Sequence, residues 1–162
     1  MSLHQLIEWT YQTPLSTTIR DISWVVPAVQ SVHILAIAVV LGAAVISDLR
    51  LAGLFAVDEP AHVVVRRYLP WSYTALAVLL ITGLTMCIGE PDRVLVNQIF
   101  WTKMVLVVSV FLLTLALRRP FLDPRFKPAS TWRGRHARAL AGVSLLLWVT
   151  VVVCGRWIAY GL

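Results

Sequence analysis

The sequence predicts an all-α membrane protein: a four-transmembrane-helix antiparallel bundle with a short N-terminal interfacial amphipathic helix and both termini outside. Three observations predict it. Hydrophobic residues make up 59% of the 162 residues and charged ones only 14%, with a mean hydropathy of +0.79, values outside the range of ordinary soluble domains. Four apolar runs are each long enough to cross a bilayer, whose hydrocarbon is ~30 Å thick and takes ~20 helical residues. The cations, finally, gather in the connections on one side of these runs. Residues 1–162 are read as a single membrane domain.

Each element has a local reason. Leu3, Leu6, Ile7 and Tyr11 fall near helical spacing ahead of a Thr13-Pro14 break, so residues 2–12 form a helix lying on the outer interface. Ser16 or Thr17 then caps the helix that becomes span one. That span covers about residues 22–46, and its stretch 24–46 is 23 residues long without a formal charge. The loop 47–70 is cytoplasmic. Within it Asp58-Glu59-Pro60 resembles a helix start, with acids at the positive end of the dipole and Pro in the first turn. A cytoplasmic helix therefore leads into span two, about 71–88, with a bend at Pro70. Gly89-Glu90-Pro91-Asp92 ends that span with turn chemistry. Span three covers about 99–117, with Lys103 near its start, and span four about 139–160, with Arg156 near its end. Between them residues 118–138 hold Pro120, Pro124 and Pro128 among basic residues, and read as an irregular cytoplasmic loop that contacts anionic lipid or a partner.

The formal charge of +6 and the pI near 10.0 would suggest nucleic acid in a soluble protein. Here the cations follow topology instead, and no nucleic-acid partner is expected. Arg50, Arg66 and Arg67 lie between spans one and two, and Arg118, Arg119, Arg125, Lys127, Arg133, Arg135 and Arg138 lie between or beside spans three and four. The other side carries only Arg20, Arg93, Lys103 and Arg156. By the positive-inside rule both termini are outside, in the periplasm or its equivalent, and the two basic loops are cytoplasmic. The first apolar run is longer than a signal-peptide core and is expected to stay as a span.

Depth selects the candidate site. His33 is the only histidine well inside an apolar run, and an ionisable group there calls for a partner or a ligand. At ~1.5 Å per residue it lies roughly 14 to 17 Å below the outer start of span one, and Lys103 and Arg156 roughly 6 Å below the outer ends of theirs. Met86, Cys87, Trp101, Met104, Cys154, Trp157 and Tyr160 fall in the same outer half or at its rim, whereas the middle and inner parts of the spans read as almost purely apolar. Each residue also has a plainer use. His33 can hydrogen-bond Gln30, Ser31 or a Thr across the bundle; Lys103 and Arg156 can snorkel; Trp101, Trp157 and Tyr160 suit an interfacial belt; Cys87 and Cys154 can pack as small apolar groups or pair.

In combination these residues suit haem b, which takes an imidazole ligand and cations for its propionates. His33 binds the iron, Lys103 and Arg156 neutralise the propionates, and Trp101 and Trp157 wall the slot. His136 and His62 belong to the cytoplasmic side, so a sixth ligand comes from Met104, His4 or another subunit, or the iron is five-coordinate.

The stretches E-W-T-Y-Q-T-P-L-S-T-T-I-R-D-I-S-W, S-V-H-I-L-A-I-A-V-V-L-G, D-L-R-L-A-G-L, F-W-T-K and L-L-L-W-V-T-V-V-V-C-G-R-W-I-A-Y together resemble an uncharacterised bacterial four-helix integral membrane family, a domain of unknown function. The resemblance covers nearly the whole chain. The His33 to Gly42 segment with Arg50, and the Trp101/Lys103 segment, are more remotely similar to the copper-resistance D type and the haem-binding protoporphyrinogen oxidase type of membrane protein. That second resemblance implies His33 as haem ligand and Lys103 as a functional cation. The histidine-rich later helices of cytochrome b561-like proteins are missing.

Three functions compete. The first is a b-type haem protein carrying out electron transfer or redox chemistry at the periplasmic half of the bilayer, with a periplasmic electron-transfer partner. The second is copper handling through Met86, Cys87, Met104, Cys154 and His33, which have the softness Cu(I) prefers. The third is a non-catalytic accessory or assembly subunit, working as a homo-oligomer or in a larger membrane complex. No Gly-rich phosphate loop, H-E-x-x-H or paired CxxC is present, so nucleotide hydrolysis and zinc chemistry have no support.

Overall fold

The computed structural model describes residues 3–123 and 136–157. Four of its helices are long and apolar enough to cross a membrane. They are α3 (Val25–Leu51), α4 (Ala61–Gly89), α6 (Gln98–Arg118) and α7 (Ala137–Trp157). Three short helices, α1 (Leu3–Tyr11), α2 (Pro14–Asp21) and α5 (Pro91–Leu95), sit at the end of the bundle that also holds the start of α3. This is the terminal end. The opposite, basic end carries the 52–60 connection and a 3-10 turn at Arg119–Leu122.

Lipid explains the helices. Backbone polar groups in hydrocarbon must bond within their own segment, so an apolar run of this length has no other regular form. The apolar side chains are distributed accordingly: Leu80, Ile81, Val105, Leu112, Leu146 and Val149 are all more than half exposed on the outside of the bundle. A soluble protein could not present that surface, and the chain is a multi-pass membrane protein.

Packing is pairwise. α3 runs along α4, α6 along α7, and the pairs meet through α3 and α7. The buried stripe of α3 is Ala36, Val40, Ala43, Ala44, Ser47, Asp48 and Leu51, whose small side chains let neighbouring backbones approach. At mid-bundle Val40, Ala44, Ala75, Val110, Trp148 and Val151 form an apolar core. α4 and α6 share no extended contact; α4 is joined to that side through α5 at one end and the 119–122 turn at the other.

Several local expectations change. Ser16 and Thr17 do not cap the first span. Thr13 caps a separate helix, α2, accepting from Ser16 N–H at 3.3 Å, because Pro14 takes the first helical position. Ser16 is instead fully buried, and α3 begins after Trp24 without a side-chain cap. Arg20 fastens α2 back to α1, its guanidinium 3.5 Å from the centre of the Tyr11 ring and 3.0 Å from the Tyr11 carbonyl. Pro60 precedes α4 as its N-cap and is not in the first turn, while Pro70 lies within the helix. Gly89 ends α4 where a Cβ would come within 2.8 Å of Ile19 Cγ2, so the glycine admits α2 against the helix end.

At the basic end α3 runs past the apolar stretch to Leu51 and stops in a Schellman motif. Gly53, at φ +72°, takes the left-handed position, with Leu54 N–H bonded to Leu49 O at 2.9 Å and Gly53 N–H to Arg50 O at 3.0 Å. Arginines counted above as topological signals hold the 52–60 connection in place. Arg138 Nε donates to Ala52 O at 2.8 Å, Arg50 Nε to Glu59 O at 2.9 Å, and Arg67 pairs with the Glu59 carboxylate at 3.0 Å. Arg125, Lys127, Arg133 and Arg135, with Pro124 and Pro128, lie outside the described residues.

Beyond the apolar runs the helices carry a charged pair into the bundle. Asp48 of α3 and Arg118 of α6 form an ion pair at 3.2 Å, with side chains 0% and 3% exposed. Both residues flank apolar runs in the sequence, but the helices extend far enough to carry them into the bundle. Breaking such a pair by removing one partner leaves a buried charge, at a cost of about 3–5 kcal/mol. Arg118→Met alone should lower the unfolding midpoint in detergent by far more than Asp48→Leu with Arg118→Met together. Equal losses in the single and double variants would show that the two charges act independently.

Candidate functional site

His33 lies on α3 about two turns from Val40 of the core, toward the terminal end, and α4 receives it. Its Nδ1 lies 2.6 Å from Thr82 Oγ1. The Thr82 hydroxyl is also 2.7 Å from Val78 O, a carbonyl that can only accept. The single hydroxyl proton goes to that carbonyl, so the ring N–H on Nδ1 donates to Thr82 Oγ1. In the neutral ring this tautomer places the lone pair on Nε2. Gly83 lies beside it: a Cβ there would be in ordinary contact with His33 Cε1, at 3.7 Å. Of the plainer uses considered for His33, a hydrogen bond to a threonine across the bundle is therefore present, and it occupies one ring nitrogen of two.

Lys103 enters from α6. Its ammonium rests on the bare backbone of Gly155 in α7, where a Cβ would stand 3.3 Å from Nζ. The amine is close enough for its charge to act on His33, Cys87 and Cys154. All four spans thus contribute to one polar cluster: His33 from α3, Thr82, Gly83 and Cys87 from α4, Lys103 from α6, and Cys154 and Gly155 from α7. Cys87 and Cys154 are free, half-buried thiols.

The register that assembles this cluster is set at the other end. His33 precedes Asp48 by fifteen residues on α3, and Lys103 precedes Arg118 by fifteen on α6. Both helices run from the terminal to the basic end, so joining Asp48 to Arg118 places His33 and Lys103 at matching depth, ~22 Å away at ~1.5 Å per residue.

The remaining candidates stay outside the cluster. Met104 is 39% exposed and Trp157 62% exposed, both on the outer surface. Trp101, 50% exposed, is fixed at the rim by its Nε1–H bond to Leu95 O at 3.0 Å and an edge contact with Phe100. Arg156 is exposed at the terminal end, and His4 is exposed on α1. Tyr160 lies outside the described residues. Among the described residues no group of three or more His, Cys, Asp or Glu side chains is placed to hold a metal ion.

Sequence reasoning missed the Asp48–Arg118 pair and what surrounds it. Arg118 Nη2 also reaches Ala44 O at 3.5 Å, and the Ser144 hydroxyl sits against the Asp48 carboxylate, within electrostatic reach but outside hydrogen-bond geometry. The available signal was the acid in S-D-L-R, directly continuing the apolar run of span one at a position in phase with Val40 and Ala44.

Fold and site together define a four-span helical membrane protein with a half-buried histidine and lysine at one level and a buried ion pair at another. The chain belongs to DUF6644, a family of unknown function whose match covers residues 7–161. No curated protein and no solved structure matches it.

Thr82→Val keeps the shape of the side chain and removes the acceptor for His33 Nδ1–H. Stranding a buried donor costs about 1–3 kcal/mol. The variant should unfold at a lower temperature than wild type, and His33→Leu should erase most of that difference in a double-variant cycle. Additive losses would show that the two side chains are not coupled.

Proposed function

We propose that the protein binds a b-type haem through His33 and takes part in electron transfer or redox chemistry in the half of the bilayer nearest its termini. One observation carries the reading: His33 is held by Thr82 through Nδ1, which leaves Nε2 as the ring's lone-pair nitrogen. Histidines that ligate metals usually donate their other ring N–H in this manner, which fixes both tautomer and ring orientation. Such a haem would supply one-electron chemistry.

The chain's own residues have defined parts in this reading. Thr82 keeps the Nδ1 proton and the ring plane in place. Lys103 holds a positive charge beside the ring, suited to a propionate, and Gly155 gives its amine room to lie between helices. Arg156, next in sequence at the terminal end, offers the second cation closer to water. The core of Val40, Val110 and Val151 keeps water from the far end away from the ring. Met104 faces outward, so His33 is the protein ligand that this chain supplies. Trp101 and Trp157 frame the rim.

Cu(I) is the weaker alternative, because the Lys103 ammonium stands by both thiols and repels a cation. An accessory-subunit role is favoured by Gly42 and Gly142, where an added Cβ would meet nothing within 4 Å, leaving bare helix surface to receive another chain. The two roles are compatible.

The basic end carries Arg50, Arg66, Arg67, Arg118, Arg119 and Arg138, which supports placing it in the cytoplasm and the termini in the periplasm of a bacterial inner membrane. With Cys87 and Cys154 replaced by Ser, a membrane-impermeant maleimide applied to intact spheroplasts should label Glu8→Cys and spare Arg66→Cys. The reverse pattern would invert the topology.

Protein purified with ample haem supply should show a Soret band and sharp reduced α and β bands at about one haem per chain. His33→Ala should lose the haem and Thr82→Val should shift or weaken the bands. Unchanged haem content in His33→Ala, or a flat spectrum in the wild type, would remove this reading.

A further inference from the structure

The 52–60 connection at the basic end presents apolar side chains where a loop beside water would present polar ones. Leu54, Phe55 and Val57 are 69%, 51% and 59% exposed and follow one another in a single turn. The backbone is held so that they stay outside the bundle. Arg138 clamps one end through Ala52 O at 2.8 Å, and Arg50 clamps the other through Glu59 O at 2.9 Å. Between the clamps Ala56 takes φ +49°, a left-handed conformation that an alanine adopts at a cost, and its carbonyl accepts from Glu59 N–H at 3.1 Å. Three apolar side chains presented by a constrained turn mark a contact surface.

Depth selects what the surface meets. His33 facing Thr82 aligns α3 with α4, Asp48 facing Arg118 aligns α3 with α6, and Lys103 resting on Gly155 aligns α6 with α7. In this alignment the apolar stretches of the four spans overlap along α3 from about residue 29 to about residue 47. That zone is ~28 Å long at ~1.5 Å per residue, close to the ~30 Å of bilayer hydrocarbon. α3 ends at Leu51, about 6 Å beyond the zone. The connection that follows therefore lies in the headgroup layer, which adds ~5–8 Å on each side of the hydrocarbon.

The charges nearby fit the same neighbour. Arg66 of α4 comes to the edge of the zone and is exposed, and among the described residues it has no carboxylate partner. A lipid phosphate supplies one at that depth. We propose that residues 54–57 form a membrane-anchoring turn: Leu54, Phe55 and Val57 enter the headgroup–acyl boundary of the leaflet at the basic end, and Arg66 contacts its phosphates. The turn fixes the depth of the α3–α4 hairpin. It does not depend on haem.

The test uses the full-length protein with Cys87 and Cys154 replaced by Ser, in nanodiscs of phosphatidylethanolamine and phosphatidylglycerol. A nitroxide is attached in turn at Leu54→Cys and Val57→Cys, and its collisions with oxygen, which concentrates in lipid, are compared with those of the water-soluble nickel complex NiEDDA. Both labels should favour oxygen, in the same sense as a label at Leu112→Cys on the exposed side of α6. Arg66→Gln should shift the ratio at position 57 toward NiEDDA. Labels freely reached by NiEDDA would place the turn in water and overturn the proposal. Labels shielded from both reagents would overturn it too, because a protein chain and not lipid then covers the turn. An unchanged ratio in Arg66→Gln would remove the phosphate contact.

Discussion

The buried ion pair between Asp48 and Arg118 is the interaction on which the arrangement of this bundle depends. Helices α3 and α6 belong to different packed pairs and share no extended surface, yet these two side chains join them inside the basic end. Apolar side chains in lipid discriminate poorly between one helix register and the next, because sliding by a turn exchanges one aliphatic contact for another. A charge pair does discriminate: a shift of a turn would leave both charges unmatched where water cannot reach them. In this protein the pair acts as a register pin, and its net stabilising value is secondary to that.

The consequence appears four turns away. The equal spacing of fifteen residues on α3 and α6 carries the alignment to His33 and Lys103, which meet at one level with α4 and α7 closing around them. Gly155 is small where the Lys103 amine lies close against α7. The polar group of each level is thus placed by the same two rigid helices. Neither level has to be held by a loop.

Between the two levels lies the apolar core of Val40, Ala44, Ala75, Val110, Trp148 and Val151. It separates the His33 cluster from the Asp48–Arg118 pair. Trp148 is part of the apolar core and also lines a small cavity beside Arg118. The protein therefore has two chemically different levels on one scaffold, one with an imidazole near an amine and one with a buried ion pair.

Much of the fold was legible in the sequence, since run length and helical backbone bonding in lipid leave an apolar stretch of twenty-odd residues one regular form. The four spans, the amphipathic first helix, the depth of His33 and Lys103, and the one-sided distribution of arginines are all one-dimensional properties. What lay beyond reach were partners, because they depend on rotation and register between helices. Thr82 was one threonine among several until α4 was rotated to face His33. Asp48 and Arg118 looked like the flanking charges of two separate spans until the helices ran on past the apolar stretches and brought them together. Trp101, Trp157 and Met104, which depth alone put beside the histidine, turned outward, since a helix shows each neighbour only a fraction of its side chains. Sequence by itself determined which segments are apolar enough to enter the membrane and the common level of His33 and Lys103; the tertiary structure alone decided which side chains meet, because hydrophobicity sets position along the membrane normal and only packing sets the angle about it.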